Sequence, residues 1–179
     1  SDVCSSDLSY LHAEMAVAAM EKGMHVFVEK PVCLTGEDCK RLLEVQKKTG
    51  VKVMVGQVVR SFEEYRYLKE AYEKKTFGEL KSIVMQRISG DTKWGYEDWF
   101  HEEKKSGSVV LDLHIHDLDF LRYMLGEPDS FTVKATAFPS GMINQVVTSY
   151  QFGSVFATAE GIWDVCTALP FESSFRACF

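Results

Sequence analysis

The stretch VFVEKPVCLTGED, residues 26–38, decides how the chain around it is read. From Met24 to Val28 the run is β-branched, aromatic and almost unbroken in its apolarity, the pattern of a short strand covered on both faces. Glu29, Lys30 and Pro31, three poor strand residues, stop it. Thr35 then opens a helix: its hydroxyl caps the first turn, and Glu37 and Asp38 supply the negative charge that a helix N-terminus favours. The helix runs to Gly50, with Leu42, Leu43 and Val45 turned inward, and VKVMVG (51–56) is a second short strand. Strand, helix, strand at this spacing is a βαβ unit, so the two strands are parallel. Upstream, LSYLHAEMAVAAMEK (8–22) places Leu11, Met15, Ala18 and Ala19 on one helical face, and Gly23 ends it. SDVCSSDL (1–8) follows neither period and reads as a loop or a non-native join.

Beyond residue 57 the character changes. SFEEYRYLKEAYEKK (61–75) is a charged, tyrosine-rich helix and LKSIVMQRIS (80–89) a longer strand. YEDWFHEEKKSGS is a polar turn or short helix, and SVVLDLHIHDLDFLRYML (108–125) a long helix closed by Gly126 and Pro128. SFTVKATAF, INQVVTSYQF, SVFATAEGIW and FESSFRACF follow at hairpin-like spacing and read as four antiparallel strands. The expected organisation is a parallel α/β part over 1–57, its first eight residues aside, and an α+β part with an open, mostly antiparallel sheet over 58–179. The last strand stops abruptly, as expected of a fragment.

Composition narrows the function classes. The net charge of −6, with no dense basic cluster, argues against a nucleic-acid partner. No apolar run approaches the roughly 20 residues that span a bilayer, and no signal peptide opens the chain, so no membrane partner is expected. Five cysteines without a CxxC pair read as reduced thiols of a cytoplasmic protein.

Three constellations carry chemistry. The first is Glu29-Lys30-Pro31. Open parallel sheets bind ligands beyond the carboxyl ends of their strands, and these residues sit at such an end; an ordinary solvated strand exit has the same composition. The second is LDLHIHDLD (111–119). On a helix Asp112 and His116 share a face and Asp119 lies one turn further on, so a carboxylate can hold the imidazole and support its charged form. A dipole-friendly helix end with packed histidines is the plain alternative, and a metal site built from His114, His116, Asp112 and Asp119 a third. His114 and His116 diverge by about 200° on a helix, which weakens the metal reading. The third is VGQVVR (55–60), where Gly56 permits close approach to the backbone and Gln57 and Arg60 follow at the crossing into the second part. His12, at the start of the first helix, is ambiguous on its own.

Taken together, HAEMAVAAMEKGMHVFVEKP, VGQVVRSF and WFHEEKKSGSVVLDLHIHDLDFLRYMLGEP resemble the glucose-fructose oxidoreductase/inositol dehydrogenase (Gfo/Idh/MocA) family over roughly residues 9–178. The resemblance implies the C-terminal remnant of a Rossmann domain followed by an open-sheet substrate and oligomerisation domain. It implies NAD or NADP as cofactor, a sugar, polyol or related hydroxyl compound as substrate, and a homo-oligomer for the parent protein. By the same resemblance Lys30, Asp112 and His116 are the catalytic candidates. His116 takes the hydroxyl proton, Asp112 orients it and Lys30 bonds the same oxygen. His12, Glu29, Lys30, Gln57 and Arg60 line the cofactor side, and no residue is assigned to a metal. A metal-dependent hydrolase and a non-catalytic relative are the alternatives. The chain departs from the family at His114, where glycine is frequent, and at Ser106-Gly107-Ser108, where a fuller glycine run is usual. The G-x-G-x-x-G turn is not in this sequence, so the chain alone is expected to bind dinucleotide poorly, to lack activity and to aggregate.

Overall fold

The structure, a computed structural model, describes residues 8–91, 96–166 and 168–179, Tyr96 by its backbone alone. The expectation of a non-native join at 1–8 therefore falls almost wholly outside the described residues. A 3-10 turn, Ser9–Leu11, leads into α1 (His12–Glu21), then β1 (Val26–Glu29), α2 (Gly36–Thr49) and β2 (Val53–Gly56). Thr35 caps α2 by accepting the Asp38 backbone N–H at 3.0 Å, and Gly50 ends it in the left-handed conformation at φ 69°. β1 and β2 are parallel, in a register that sets Glu29 beside Gly56.

The buried faces of the two helices differ from the expected ones. In α1 the expected Ala19 is buried, but with Ala13, Ala16, Val17 and Met20, while Met15 is only half-buried and Ala18 is exposed. The helix is apolar nearly all round, so its periodicity did not select a face. In α2 Leu42 is buried and Val45 packs against the same cluster, whereas Leu43 is 54% exposed. Leu43 lies about 100° round the helix from Leu42, so the two cannot share one narrow contact. Val26 and Val28 bury against these helices, while Met54 of β2 is 65% exposed. Among the described residues, cover is thus seen on one face of this sheet.

After a 3-10 turn at Val58–Ser61 come α3 (Glu63–Glu73) and β3 (Ser82–Gly90). A second 3-10 segment (Tyr96–His101), α4 (Glu103–Ser106), a π-helical turn (Val110–His114) and α5 (Ile115–Leu125) follow. The chain closes with β4 (Ser130–Ala137), β5 (Ile143–Phe152), β6 (Val155–Asp164) and β7 (Glu172–Cys178). The single long helix expected over 108–125 is interrupted: Ser108 has φ 61°, and the first full turn after it is π-helical. Gly107 makes the break possible. It caps α4 at φ 72°, and a Cβ there would come within 2.5 Å of Leu111 Cδ1.

The second sheet has the order β4-β5-β6-β3-β7. β4-β5, β5-β6 and β3-β7 are antiparallel, but β3 and β6 are parallel, so the last four strands are not one antiparallel meander. The chain between β3 and β6 contains α4 and α5, which is the long crossover a parallel pair requires. α5 and α3 cover one face of the sheet. Tyr65, Leu68, Phe120, Leu121 and Met124 bury against Ile83, Met85, Ala157 and Ala159. Phe120 meets Tyr65 edge-on at 4.9 Å between ring centres. A satellite cluster of Trp99, Phe100, Val109, Leu113, Val146 and Trp163 holds the π turn against the other end of the sheet.

Candidate active site

The exit of β1 and the π turn meet. Lys30 Nζ donates to Asp112 Oδ1 at 2.7 Å and to the Asp112 backbone carbonyl, also at 2.7 Å, across 82 residues of sequence. Each partner is mostly shielded, at 18% side-chain exposure. An ammonium has three protons, so one remains for a third acceptor. The turn carrying Lys30 is fixed from behind. The Pro31 carbonyl can only accept, so the buried His12 donates to it from Nδ1 at 2.7 Å. The approach that Gly56 permits is made by a side chain of this chain itself. A Cβ at Gly56 would lie 2.8 Å from Glu29 Oε2, so the glycine makes room for the Glu29 carboxylate.

His116 is buried on the same side as Lys30, and its Nδ1 has no hydrogen-bond partner. Burial, and then the neighbouring Lys30 and Arg87 cations, push its pKa down to about 3. The ring is neutral at any physiological pH. Asp112 does not accept the expected hydrogen bond from His116; its carboxylate accepts from Lys30 instead. The π turn sets Asp112 toward the β1 exit, and an ammonium attracts a carboxylate more strongly than a neutral imidazole does.

The remaining helix residues go separate ways. Asp119 accepts two bonds from Arg60, at 2.7 Å from Nε and 2.5 Å from Nη2, and the Arg60 guanidinium lies 4.7 Å over the Tyr123 ring. Arg60 thereby pins the crossing between the two parts to α5. His114 faces the sheet, its Nε2 at 3.0 Å from Thr148 Oγ1 and 3.1 Å from Tyr150 OH, and burial pushes its pKa down to about 4. Gly161 of β6 admits it, since a Cβ there would sit 3.1 Å from His114 Cβ. The four candidate metal ligands do not converge: Asp112 bonds Lys30, Asp119 bonds Arg60, His114 bonds the sheet and His116 stands alone. Among the described residues no group of three His, Cys, Asp or Glu side chains could hold a metal ion.

Gln57 opens onto a cleft of about 710 Å³ that runs along β2 to its end, lined also by Phe27, Val32, Met54, Arg60 and Asp119. Its Oε1 is buried and accepts no hydrogen bond. The sequence reading passed over Arg87 and Asp117. Arg87 Nη2 donates to Asp117 Oδ1 at 2.8 Å in full burial, and Tyr65 OH stands 3.4 Å away. Burial raises the Asp117 pKa while Arg87 opposes the rise. The signal was present: Arg87 continues the buried phase Ile83–Met85 of β3, where a charge requires a partner.

Two family models match the chain. The oxidoreductase family, NAD-binding Rossmann fold, covers residues 2–57, and the GFO/IDH/MocA C-terminal domain covers residues 65–175. The chain belongs to the Gfo/Idh/MocA family. Among the relatives of this family member, the myo-inositol 2-dehydrogenase of Thermotoga maritima is 37% identical over 125 residues, which are 70% of this chain and 35% of that protein. The 2,7-anhydro-N-acetylneuraminate hydratase of Escherichia coli is 32% identical over 126 residues, 70% of this chain and 34% of that protein. A levoglucosan dehydrogenase, solved as a complex with NADH and levoglucosan, superposes with a TM-score of 0.82. The superposition covers 98% of this chain and 51% of that one, and at 22% identity it shows the fold alone. The chain thus spans about a third of the length of the curated relatives it matches.

Proposed function

We propose that the whole protein is an NAD(P)-dependent oxidoreductase that moves hydride between a sugar, polyol or related hydroxyl compound and a nicotinamide cofactor. The observation that carries this reading is the Lys30–Asp112 bond, which brings a lysine with a spare proton to the side of the helix where His116 is neutral and unpartnered. The cofactor fits the residues present. The orphaned Gln57 Oε1 is an acceptor suited to a carboxamide N–H₂, and the 710 Å³ cleft beside it is mostly apolar. Gln57 and Arg60 line this cleft, and we read Glu29, Lys30 and His12, at and behind the β1 exit, as serving the cofactor from beside it. When bound, a nicotinamide supplies the hydride acceptor.

The chain's own residues do the rest. Lys30 donates its third proton to the substrate oxygen and stabilises the negative charge that develops there. His116, kept neutral by burial, is free to take the hydroxyl proton, and the adjacent cations hasten its release. Asp112 acts on Lys30, positioning the ammonium and balancing its charge. We read residues 1–57 as the cofactor side, 58–179 as the substrate side, and the whole protein as a homo-oligomer. The uncovered sheet face, on which Phe156 is exposed, supports the last point.

The test uses the full-length protein with inositol, levoglucosan and 2,7-anhydro-N-acetylneuraminate, the compounds in the relatives' names, as first substrates. Lys30→Met and His116→Ala should each lower kcat by about 10²–10⁴ with little change in cofactor affinity. Near-normal turnover in both variants would remove the mechanism.

A further inference from the structure

Lys30 stands outside the strand ladder. β1 ends at Glu29, and among the described residues no backbone–backbone hydrogen bond outside the helices and strands involves any residue from Lys30 to Leu34. A side chain from elsewhere in the sequence ties this backbone down: His12 Nδ1 lies 2.7 Å from the Pro31 carbonyl, across 19 residues. His12 is the first residue of α1 and only 2% exposed. The helix behind it packs Ala13, Ala16, Val17 and Met20 into one buried cluster with Val26 and Val28 of β1. The imidazole is therefore anchored to the same core that carries the strand leading to Lys30.

Asp112 alone does not fix where Lys30 acts. Two ammonium N–H groups go to Asp112, one to its carboxylate and one to its carbonyl. At a tetrahedral nitrogen the direction of the third then depends on the side from which Cε arrives, and so on where the backbone of Lys30 is held. A flexible four-carbon stem could meet Asp112 from several backbone positions. The link from Lys30 to the His12 bond is short and stiff. The peptide between Lys30 and Pro31 is planar, and the proline ring fixes the next torsion, so holding the Pro31 carbonyl restrains the Lys30 Cα. We propose that His12 is a positioning residue: its Nδ1–H pins the Pro31 carbonyl and thereby aims the third Lys30 proton at the substrate oxygen. A carbonyl only accepts, so the pin requires the tautomer protonated at Nδ1. The aim at a substrate rests on the hydride-transfer reading, whereas the pin stands on the geometry of the turn.

The experiment uses the full-length protein and measures the acetylation rate of single lysines under limiting acetic anhydride, read by peptide mass. Lys30 should react more slowly than the exposed Lys47 and Lys134. His12→Ala should raise the Lys30 rate about five- to tenfold, the population change that one lost hydrogen bond allows. His12→Asn puts an N–H close to where imidazole Nδ1 stands and should restore the slow rate. His12→Gln carries its amide one carbon further out and should not. Lys69, equally shielded at 19% and bonded to Glu73, is the internal control and should keep its rate in every variant. With a substrate that the protein turns over, kcat should fall about 10²-fold in His12→Ala and His12→Gln and recover in His12→Asn, with little change in cofactor affinity. Unchanged Lys30 labelling in His12→Ala overturns the proposal. So does equal labelling in the Asn and Gln variants, or a rise at Lys69 that matches the rise at Lys30. Raised labelling with unchanged kcat, where Lys30→Met is slow, overturns the aim. If His12→Ala does not fold, the Asn and Gln pair decides. Near-normal kcat in Lys30→Met counts against the hydride-transfer reading instead, and the labelling rates still judge the pin.

Discussion

Asp117→Ala should be among the most damaging single substitutions in the chain. Asp117 is 0% exposed and Arg87 3%. Their 2.8 Å bond is the closest contact of the guanidinium, whose Nε has no partner and whose other polar neighbour, Tyr65 OH, is 3.4 Å away. Removing the carboxylate therefore strands a buried cation, a loss of about 3–5 kcal/mol and so a large fraction of a typical domain's stability. The Arg87→Met/Asp117→Leu double variant removes both charges at similar volume and should recover most of that loss. Asp119→Ala is the control. It also breaks an arginine–carboxylate pair, but one whose arginine is 41% exposed, and it should cost about 1 kcal/mol or less. Urea unfolding of the four chains, followed by circular dichroism, measures the differences. The double variant should also raise the His116 pKa, because Arg87 is one of the two cations that hold it down. A cost below about 1 kcal/mol for Asp117→Ala, or a double variant worse than the single one, would show that the pair is not the buried counter-charge described.

Stability should fall on acidification from about pH 6.5, the ordinary histidine value, because unfolded His114 and His116 take up protons that the folded chain, with pKa values of about 4 and about 3, refuses. Each contributes a slope of about 1.4 kcal/mol per pH unit in that window. His101 works the other way: burial would lower its pKa, but its bonds to Asp98 and Asp91 leave it raised, so its contribution is lost as pH rises. Urea midpoints of the unsubstituted chain and of His114→Gln and His116→Gln should show the acid slope flatten in each variant; an unchanged slope refutes the burial argument. Gly161→Ala should cost about 1–3 kcal/mol by pressing β6 against His114, and Gly107→Ala at least as much, since its Cβ would meet Leu111 at 2.5 Å with φ at 72°. Thermal unfolding checks the two. Gly56→Ala meets only the mobile end of Glu29 and should leave the melting temperature nearly unchanged while weakening cofactor binding in the full-length protein.

What could be read in the residues, and what could not, divides along a physical line. The capped helix from Thr35 to Gly50, the βαβ unit and the strand positions rest on local spacing and were legible. The pairing of β3 with β6 and β7 was not, because each partner lies more than 70 residues away and an alternating strand does not specify its neighbour. The π turn was hidden for a similar reason: it depends on Gly107 behind it and on Gly161 of a distant strand. The candidate site shows the same division more finely. Helical spacing assigned Asp112, His116 and Asp119 to one face and ranked their partners by position along the helix. The folded chain ranks them by charge. Asp112 reaches Lys30 and Asp119 reaches Arg60, 82 and 59 residues away, because a charge-assisted bond to a cation is roughly twice as strong as a neutral one and the two parts of the chain bring the cations within range. His116 Nδ1 is left buried and without an internal partner, while Lys30 on the same side, bonded twice to Asp112, keeps one N–H to donate. A buried group in that state keeps an unmet hydrogen-bonding capacity, because the helix offers it a position and the cations have already taken the carboxylates that could have met it.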